Sequence, residues 1–258
     1  MANKGIFITA TDTNVGKTYV AAGIASAMQL MIHRNQSSTP VKLWKPVQSG
    51  AILGDSYADS YRLVQGSGLP QSEADTVSYT FNQPLAPMMA ARREGRTIEV
   101  TQLRKRFAQF QETECYLIIE GAGGLMVPLT EQHLLIDVAV AFAYPLVIIA
   151  RPELGTVNHT LLTIQTARAH GLEVSGVILN GCYAERAREV RENVEMIETF
   201  GHTQVIAQLP WSAPEPVISK ANAEGEYVAW QAWRQQWTTT ILEHISTSWL
   251  HNEIDKSS

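Results

Sequence analysis

Gly16, Lys17 and Thr18 are the three successive residues of this chain best suited to hold a phosphate. They end the segment Ala10-Thr11-Asp12-Thr13-Asn14-Val15-Gly16-Lys17-Thr18, which follows a short apolar run and opens a long stretch of helical spacing. At such a turn, backbone N–H groups and the helix N-terminus face an anion. Lys17 reaches the β- and γ-phosphates as a point charge, and Thr18 offers a hydroxyl to Mg2+. The usual pattern has glycine at the position of Thr11, so the pattern alone is weak and the strand-loop-helix context carries the reading. The competing reading is a chance Gly-Lys-Thr helix cap.

Two further groups could serve the same chemistry. An apolar run, Tyr116-Leu117-Ile118-Ile119, ends in Glu120 and leads into Gly121-Ala122-Gly123-Gly124. A carboxylate at a strand end beside a phosphate loop can hold Mg2+ directly or through water, and glycines let backbone approach a ligand. An exposed acid capping a turn is the alternative. Lys45 precedes Pro46, which biases it to extended backbone and sets the direction of its side chain. An ammonium there could meet a γ-phosphate and a second anion, with Ser49 hydrogen-bonding the same ligand, although most lysines are simply solvated.

These groups need a scaffold that brings strand ends together. Short runs rich in Ile, Val and Leu occur at 5–9, 41–47, 116–119, 146–150, 174–179 and 204–208. They have the length of strands buried on both faces. Between them, 17–33, 134–143, 158–170 and 184–200 show helical spacing, the first through Val20, Ile24, Ala27, Met28 and Met31. Such alternation predicts a mostly parallel sheet with helices on both faces, binding ligands at the strand C-terminal ends. Residues 52–81, rich in Gly, Ser and Asp, read as a loop and short helix on the rim. Near the end, Trp230, Trp233, Trp237, Ile241, Ile245 and Trp249 recur at helical spacing and predict one helix over about 226–250. It reads as packed core, with a subunit contact as the alternative. Residues 252–258 are polar and read as a fraying end.

The 258 residues fit one large domain. Twenty-five acids outweigh twenty bases and no long basic run occurs, which argues against a nucleic-acid partner. Cys115 and Cys182 show no metal-ligand spacing and read as reduced thiols. No signal-peptide pattern and no run of about 18 apolar residues is seen, so no membrane partner is expected and the cytoplasm is the expected location.

The ordered set of segments resembles the dethiobiotin synthetase family, within the P-loop NTPases. It comprises 11–18, Lys45-Pro46-Val47-Gln48-Ser49-Gly50, 120–124, Leu154-Gly155-Thr156-Val157-Asn158-His159, Gly176-Val177-Ile178-Leu179-Asn180 and Leu209-Pro210-Trp211. The resemblance implies a P-loop NTPase-like fold and a reaction joining 7,8-diaminononanoate, CO2 and ATP to give dethiobiotin, ADP and phosphate. It also implies Mg2+ as cofactor and a homodimer with the active site at its interface. Lys17 and Lys45 would be catalytic, and Thr18, Asp59 and Glu120 would serve the metal, Asp59 being preferred to Asp55 by its spacing to 79–81. Asn14, Val15, Gly16, Lys17, Thr18, Tyr19, Asp59, Glu120, Gly121, Ala122, Gly123, Asn180, Leu209, Pro210 and Trp211 would bind ATP. Asn180 would read the adenine edge. Thr13 and Ser49 would contact the carbamate or diamine, and Leu154, Gly155 and Asn158 the partner subunit's diamine, Asn158 also reading as a helix N-cap. His159 reads as surface or interface. Two departures stand out: Ala10 and Asn14 occupy positions where family members carry glycine, and an acid or glycine, respectively. If position 10 needed positive φ, alanine would cost about 1 kcal/mol. The tryptophan-rich end extends beyond the resemblance.

Three alternatives share parts of this pattern. A regulatory partition or positioning ATPase would usually carry a second lysine near the loop start, where this chain has Thr11 and Asp12. An amidotransferase-type synthetase would append a glutaminase domain. A catalytically dead nucleotide-binding module would not be expected to retain Lys17, Thr18, Lys45 and Glu120.

Overall fold

The apolar runs assemble into one seven-stranded sheet in a computed structural model that describes residues 4–212, 216 and 223–255. The strands are β1 (Lys4–Ala10), β2 (Val41–Ser49), β3 (Val77–Phe81), β4 (Tyr116–Glu120), β5 (Leu146–Ala150), β6 (Val174–Asn180) and β7 (Val205–Leu209). Their order is β3-β2-β4-β1-β5-β6-β7, and every pairing among them is parallel. The chain leaves β1 toward β2 on one side and later fills β5 to β7 on the other. β1 is therefore the switch point, where a crevice opens beyond the strand ends.

Alternation along β1 assigns the two faces. Ile6 and Ile8 point into one core layer with Tyr116 and Ile118, and Phe7 points into the other with Leu117 and Ile119. The first layer is covered by α1 (Lys17–Arg34) together with α2 (Asp59–Ser67), α9 (Ala223–His244) and α10 (Thr247–Asp255). On the other side lie α4 (Pro87–Arg93), α5 (Val100–Gln111), α6 (Leu135–Phe142), α7 (Thr156–Ala169) and α8 (Ala187–Gly201). A short α3 (Glu73–Thr76) leads into β3. The expected fold class, a parallel α/β sheet covered on both faces, is what the chain adopts.

Several expectations need correction. The rim segment 52–81 contains a strand, β3, at the sheet edge. Its exposed Ser78 between Val77 and Tyr79 breaks up the apolar run that marks inner strands, and Trp44 Nε1 donates to Ser78 Oγ at 2.9 Å to anchor it. Two helices, α4 and α5, also escaped the periodicity reading. Of the twelve residues of α5 only Leu103 and Phe110 are buried, which leaves a thin apolar stripe. The helix read at 158–170 begins at Thr156 with Gly155 as its N-cap at φ 94°, so Asn158 sits inside the helix and caps nothing.

The tryptophan-rich end is two helices. After α9, Ile245 forms an antiparallel bridge with Ala207 of β7, and Ser246 N donates to Ile206 O at 2.6 Å. β7 is a sheet edge whose backbone groups lack a strand partner. Satisfying them interrupts the helix, and α10 restarts with Trp249 N donating to Ser246 Oγ at 3.4 Å, an N-cap geometry. The polar end is also firmer than its composition implied. Glu253 is buried and accepts from Tyr116 Oη at 2.7 Å, while residues 256–258 lie outside the described set.

All six apolar residues of the tryptophan stripe are buried, Trp230 completely, so the core reading holds within the chain. Trp230→Ala is expected to cost about 3–5 kcal/mol of unfolding free energy. A urea titration showing a loss below ~1 kcal/mol would mean that α9 is an appendage and not part of the core.

Candidate active site

β1 ends at Ala10, and Thr11 N donates to Ile149 O at 3.0 Å, so the loop leaves the sheet between β1 and β5. Asp12 Oδ1 accepts from Thr13 N at 2.7 Å and tightens the turn. Asn14 stands at φ 57° and Gly16 at φ 87°. Asparagine is among the few side chains that enter the left-handed region readily, so Asn14 suits its place. Ala10 has no positive φ, and the strain it could have carried does not arise. Gly16 has a further reason to be glycine, since a Cβ there would lie 2.3 Å from Asn180 Nδ2. The first turn of α1 holds no acid and no side-chain cap, which leaves its N–H groups for an anion.

The strand register brings the charges together. Trp44 pairs with Ile119, so Lys45 and Glu120 are the next residues on adjacent strands. Gln48, at the end of the same strand β2, accepts from Ser60 N at 2.7 Å and donates to Ala51 O at 3.2 Å. That fixes the start of α2 and with it Asp59. Lys45 Nζ then lies 2.7 Å from Glu120 Oε1 and 2.8 Å from Asp59 Oδ2. Thr18 Oγ1 lies 2.9 Å from Glu120 Oε1 and 3.1 Å from Asp59 Oδ1, and its single proton serves one of them at a time. Asp55 is occupied elsewhere, accepting from Ile52 N at 2.9 Å.

The electrostatics follow from burial and pairing. Burial lowers the pKa of the Lys17 ammonium, with Glu120 opposing, and the net shift is downward. Burial would also lower Lys45, but Asp59 and Glu120 outweigh it and raise it above the ordinary lysine value. Burial raises the carboxyl of Glu120, and Lys45 only partly offsets this. Burial pushes the half-buried Asp59 the same way, but Lys45 outweighs it and holds the carboxyl below the usual carboxylate range. Lys45 is thus a fixed positive charge and not a proton acceptor near neutral pH.

These groups open on a cavity of about 650 Å³. It is lined by Thr13, Asn14, Gly16, Lys17, Thr18, Tyr19, Lys45, Ser49, Asp59, Glu120, Ala122, Gly123 and Trp211, all expected from the sequence. Lys17 and Lys45 share it. Glu120 Oε2 is buried and has no hydrogen-bond partner among the described residues. With Thr18 and Asp59 it gives a set of hard oxygen donors, which fits Mg2+. At one end, Asn180 Nδ2 donates to Val15 O at 2.9 Å, and Asn180 Oδ1 is buried without a partner among the described residues. Gly181 N donates to Leu209 O at 2.9 Å. Trp211 lies against Gly16 and Gly181, where a Cβ would come within 3.3 and 2.9 Å of its ring. Gly121, Asn180, Leu209 and Pro210 stand at or just beyond strand ends and, like Val15, do not line the cavity.

Leu154, Gly155 and Asn158 are likewise absent from the cavity wall, which makes eight expected residues outside it, and Leu154 is 99% exposed. Their neighbour His159 is half-buried in the first turn of α7. The sequence reading also missed lining residues, namely Val47, Gln48, Arg62, Pro84, Leu85, Ala86, Pro87 and Val127. Only the turn signal of the prolines could have pointed to the 84–87 segment. Ser49 Oγ donates to Leu85 O at 2.7 Å and ties that segment to β2.

Comparison with known proteins agrees with this geometry. A family model described as an AAA domain matches residues 4–214, ending before α9. The chain is 44% identical over 211 residues to the ATP-dependent dethiobiotin synthetase BioD of Bacillus cereus (strain B4264), covering 82% of this chain and 85% of that protein. The same named protein of Bacillus thuringiensis (strain Al Hakam) is 42% identical over 207 residues, 80% of this chain and 83% of that one. Among solved structures, the cell division ATPase MinD of Pyrococcus furiosus superposes with a TM-score of 0.57 at 14% identity, covering 99% of this chain and 100% of that one. A ParA family ATPase from Chlorobium tepidum TLS gives 0.54, also at 14%, over 94% and 97% of the two chains. These last two speak for the fold alone.

Two substitutions test the oxygen cluster. Glu120→Ala is expected to raise the Mg2+ concentration for half-maximal nucleotide binding by about tenfold or more; an identical magnesium titration removes Glu120 from the metal site. Thr18→Val is expected to impair Mg-nucleotide binding, and wild-type affinity would count against the phosphate-loop assignment.

Proposed function

This chain belongs to the ATP-dependent dethiobiotin synthetase family, and from that premise we propose that it joins 7,8-diaminononanoate, CO2 and ATP into dethiobiotin, ADP and phosphate. The observation that carries the reading is the opening of Lys17 and Lys45 onto one cavity beside Thr18, Asp59 and Glu120. A regulatory partition-type ATPase is supported only at the level of fold.

The reaction has to bring anions together. One amine adds to the carbon of CO2 and loses a proton, giving a carbamate. A carbamate oxygen attacks the γ-phosphorus and ADP departs. The second amine then attacks the carbamoyl carbon, phosphate leaves, and the ureido ring closes with loss of a proton. A carbamate meeting a triphosphate needs concentrated, preorganised positive charge. Lys17 and Lys45 supply it. Because Asp59 and Glu120 keep Lys45 protonated, it stabilises charge at the γ-phosphoryl group and does not take protons from the amines. Thr18, Asp59 and Glu120 would hold Mg2+, which would add positive charge beside the phosphates. The hydroxyl proton of Ser49 is given to Leu85 O, so Ser49 meets a diamine as an acceptor, which suits an amine N–H. Thr13 lines the same cavity and is assigned to the carbamate or diamine.

The nucleotide fits the other end. Asn180 gives one of its two amide N–H groups to Val15 O and keeps Oδ1 as an acceptor without a partner among the described residues. The 6-amino group of adenine donates to such an acceptor, and we assign Asn180 to the adenine edge. Backbone at Leu209, Pro210 and Trp211 closes the base pocket. Leu154, Gly155 and Asn158 lie outside the cavity wall, Leu154 and Asn158 exposed, and we assign them to the diamine of a second copy in a homodimer. Among the described residues no helix is long and apolar enough to cross a membrane, and we assign the enzyme to the cytoplasm.

Incubation with diaminononanoate, bicarbonate and Mg-ATP is expected to yield a product with the mass of dethiobiotin, and ATP consumption is expected to depend on the diamine. Diamine-independent turnover stimulated by DNA or membrane would overturn the proposal. Lys45→Gln is expected to lower kcat by about 100-fold or more while changing ATP affinity by less than about fivefold. Unchanged turnover would remove Lys45 from the chemistry.

A further inference from the structure

We propose that Arg62 is a third phosphate-binding cation of this site, presented from α2 on the ring of Tyr19 and kept there by the C-terminal tryptophan helix. The inference rests on the ATP-dependent reading above and adds a residue to it. Arg62 follows Asp59 by three positions on α2, so the two side chains leave the same helix face. Both line the cavity together with Lys17, Thr18 and Tyr19. The guanidinium carbon of Arg62 lies 5.7 Å from the centre of the Tyr19 ring, within cation–π range.

Tyr19 is in turn immobilised from behind. Its ring lies 5.7 Å from that of Trp233, and its carbonyl accepts from Trp237 Nε1 at 2.7 Å. One turn further along α1, Gly23 leaves no room for a Cβ, which would meet Trp237 at 2.6 Å. Gly66 of α2 packs against Trp233 in the same way, at 3.1 Å. The helices that carry Tyr19 and Arg62 are therefore both seated on the indole of Trp233. This gives the tryptophan stripe of α9 a task at the active site beyond filling the core.

Arg62 adds a guanidinium to a cavity wall that already holds the Lys17 and Lys45 ammonium groups, where a triphosphate and a carbamate have to meet. Burial lowers the pKa of the guanidinium and Asp59 opposes this, but a guanidinium titrates too high to lose its charge near neutral pH. Its planar fork matches two phosphate oxygens, a geometry that lysine cannot copy.

Calorimetric titration of the full-length protein with Mg-ATP, beside thermal unfolding, tests the assignment with Arg62→Met and Arg62→Lys. Methionine keeps the packed stem and removes the charge. The expected result is a loss of ATP affinity of about 10- to 100-fold in the Met variant, with Tm unchanged and only part of the loss recovered by Lys, which restores the charge but not the fork. An Arg62→Met protein that binds Mg-ATP within about twofold of wild type overturns the proposal, as does an affinity loss matched by a fall in Tm, which marks a packing role. Failure of the synthetase reading looks different: wild-type protein would bind Mg-ATP yet form no dethiobiotin, and the Arg62 comparison would still be read from binding alone.

Discussion

Lys45 wedged between Asp59 and Glu120 is the constraint around which the site is organised. An ammonium and a carboxylate withdrawn this far from water each lose several kcal/mol of hydration, and their mutual attraction returns that only with good geometry. The geometry is good here because three separate elements converge: β2 supplies the lysine, β4 the glutamate and α2 the aspartate. Such a cluster contributes little net stability. It does hold two carboxylates, proposed to bind the metal, and an ammonium in place before any nucleotide arrives, so that little reorganisation would remain when charge shifts during phosphoryl transfer.

The parallel sheet makes the convergence possible. In a parallel pair the C-terminal ends lie on one edge, so residues that end different strands become neighbours. The phosphate loop follows β1, Glu120 ends β4, Lys45 to Ser49 close β2, and Asn180 ends β6. The order β2-β4-β1 sets the proposed catalytic charges beside the phosphate loop, and β6-β7 on the far side carry the residues we assign to the base. One edge of one sheet thus carries the residues proposed for phosphate, metal and base.

The C-terminal helices show how an element outside the matched family model is bound into the same structure. α9 fills the core through Trp230, Trp233 and Trp237, and it reaches the site through Tyr19. The Ile245–Ser246 break covers the β7 edge, and α10 buries Glu253 against Tyr116, the first residue of β4. Each contact answers a local need: apolar area to bury, an unpaired strand edge, or a buried hydroxyl.

Much of this was legible in the residues alone. Inner strands sit under helices on both faces, so they must be continuous apolar runs, and six of the seven could be located. Lys17, Thr18, Lys45 and Glu120 were legible because each follows or ends such a run, where backbone position nearly dictates where a side chain emerges. The edge strand β3 was not, because half its surface faces solvent and its pattern fades into the rim. The break between α9 and α10 was hidden for a related reason: it answers the unpaired groups of β7, far away in sequence. Arg62 was hidden because nothing local separates a cavity-lining arginine on a short helix from a solvated one. The sequence by itself determined the strands, the phosphate loop and the charged groups that end them, since those depend on local pattern. Only the tertiary structure decided that Lys45 pairs with two acids, that Asp59 and not Asp55 is their partner, and that the tryptophan helix stands behind Tyr19, since each depends on which strands and helices become neighbours.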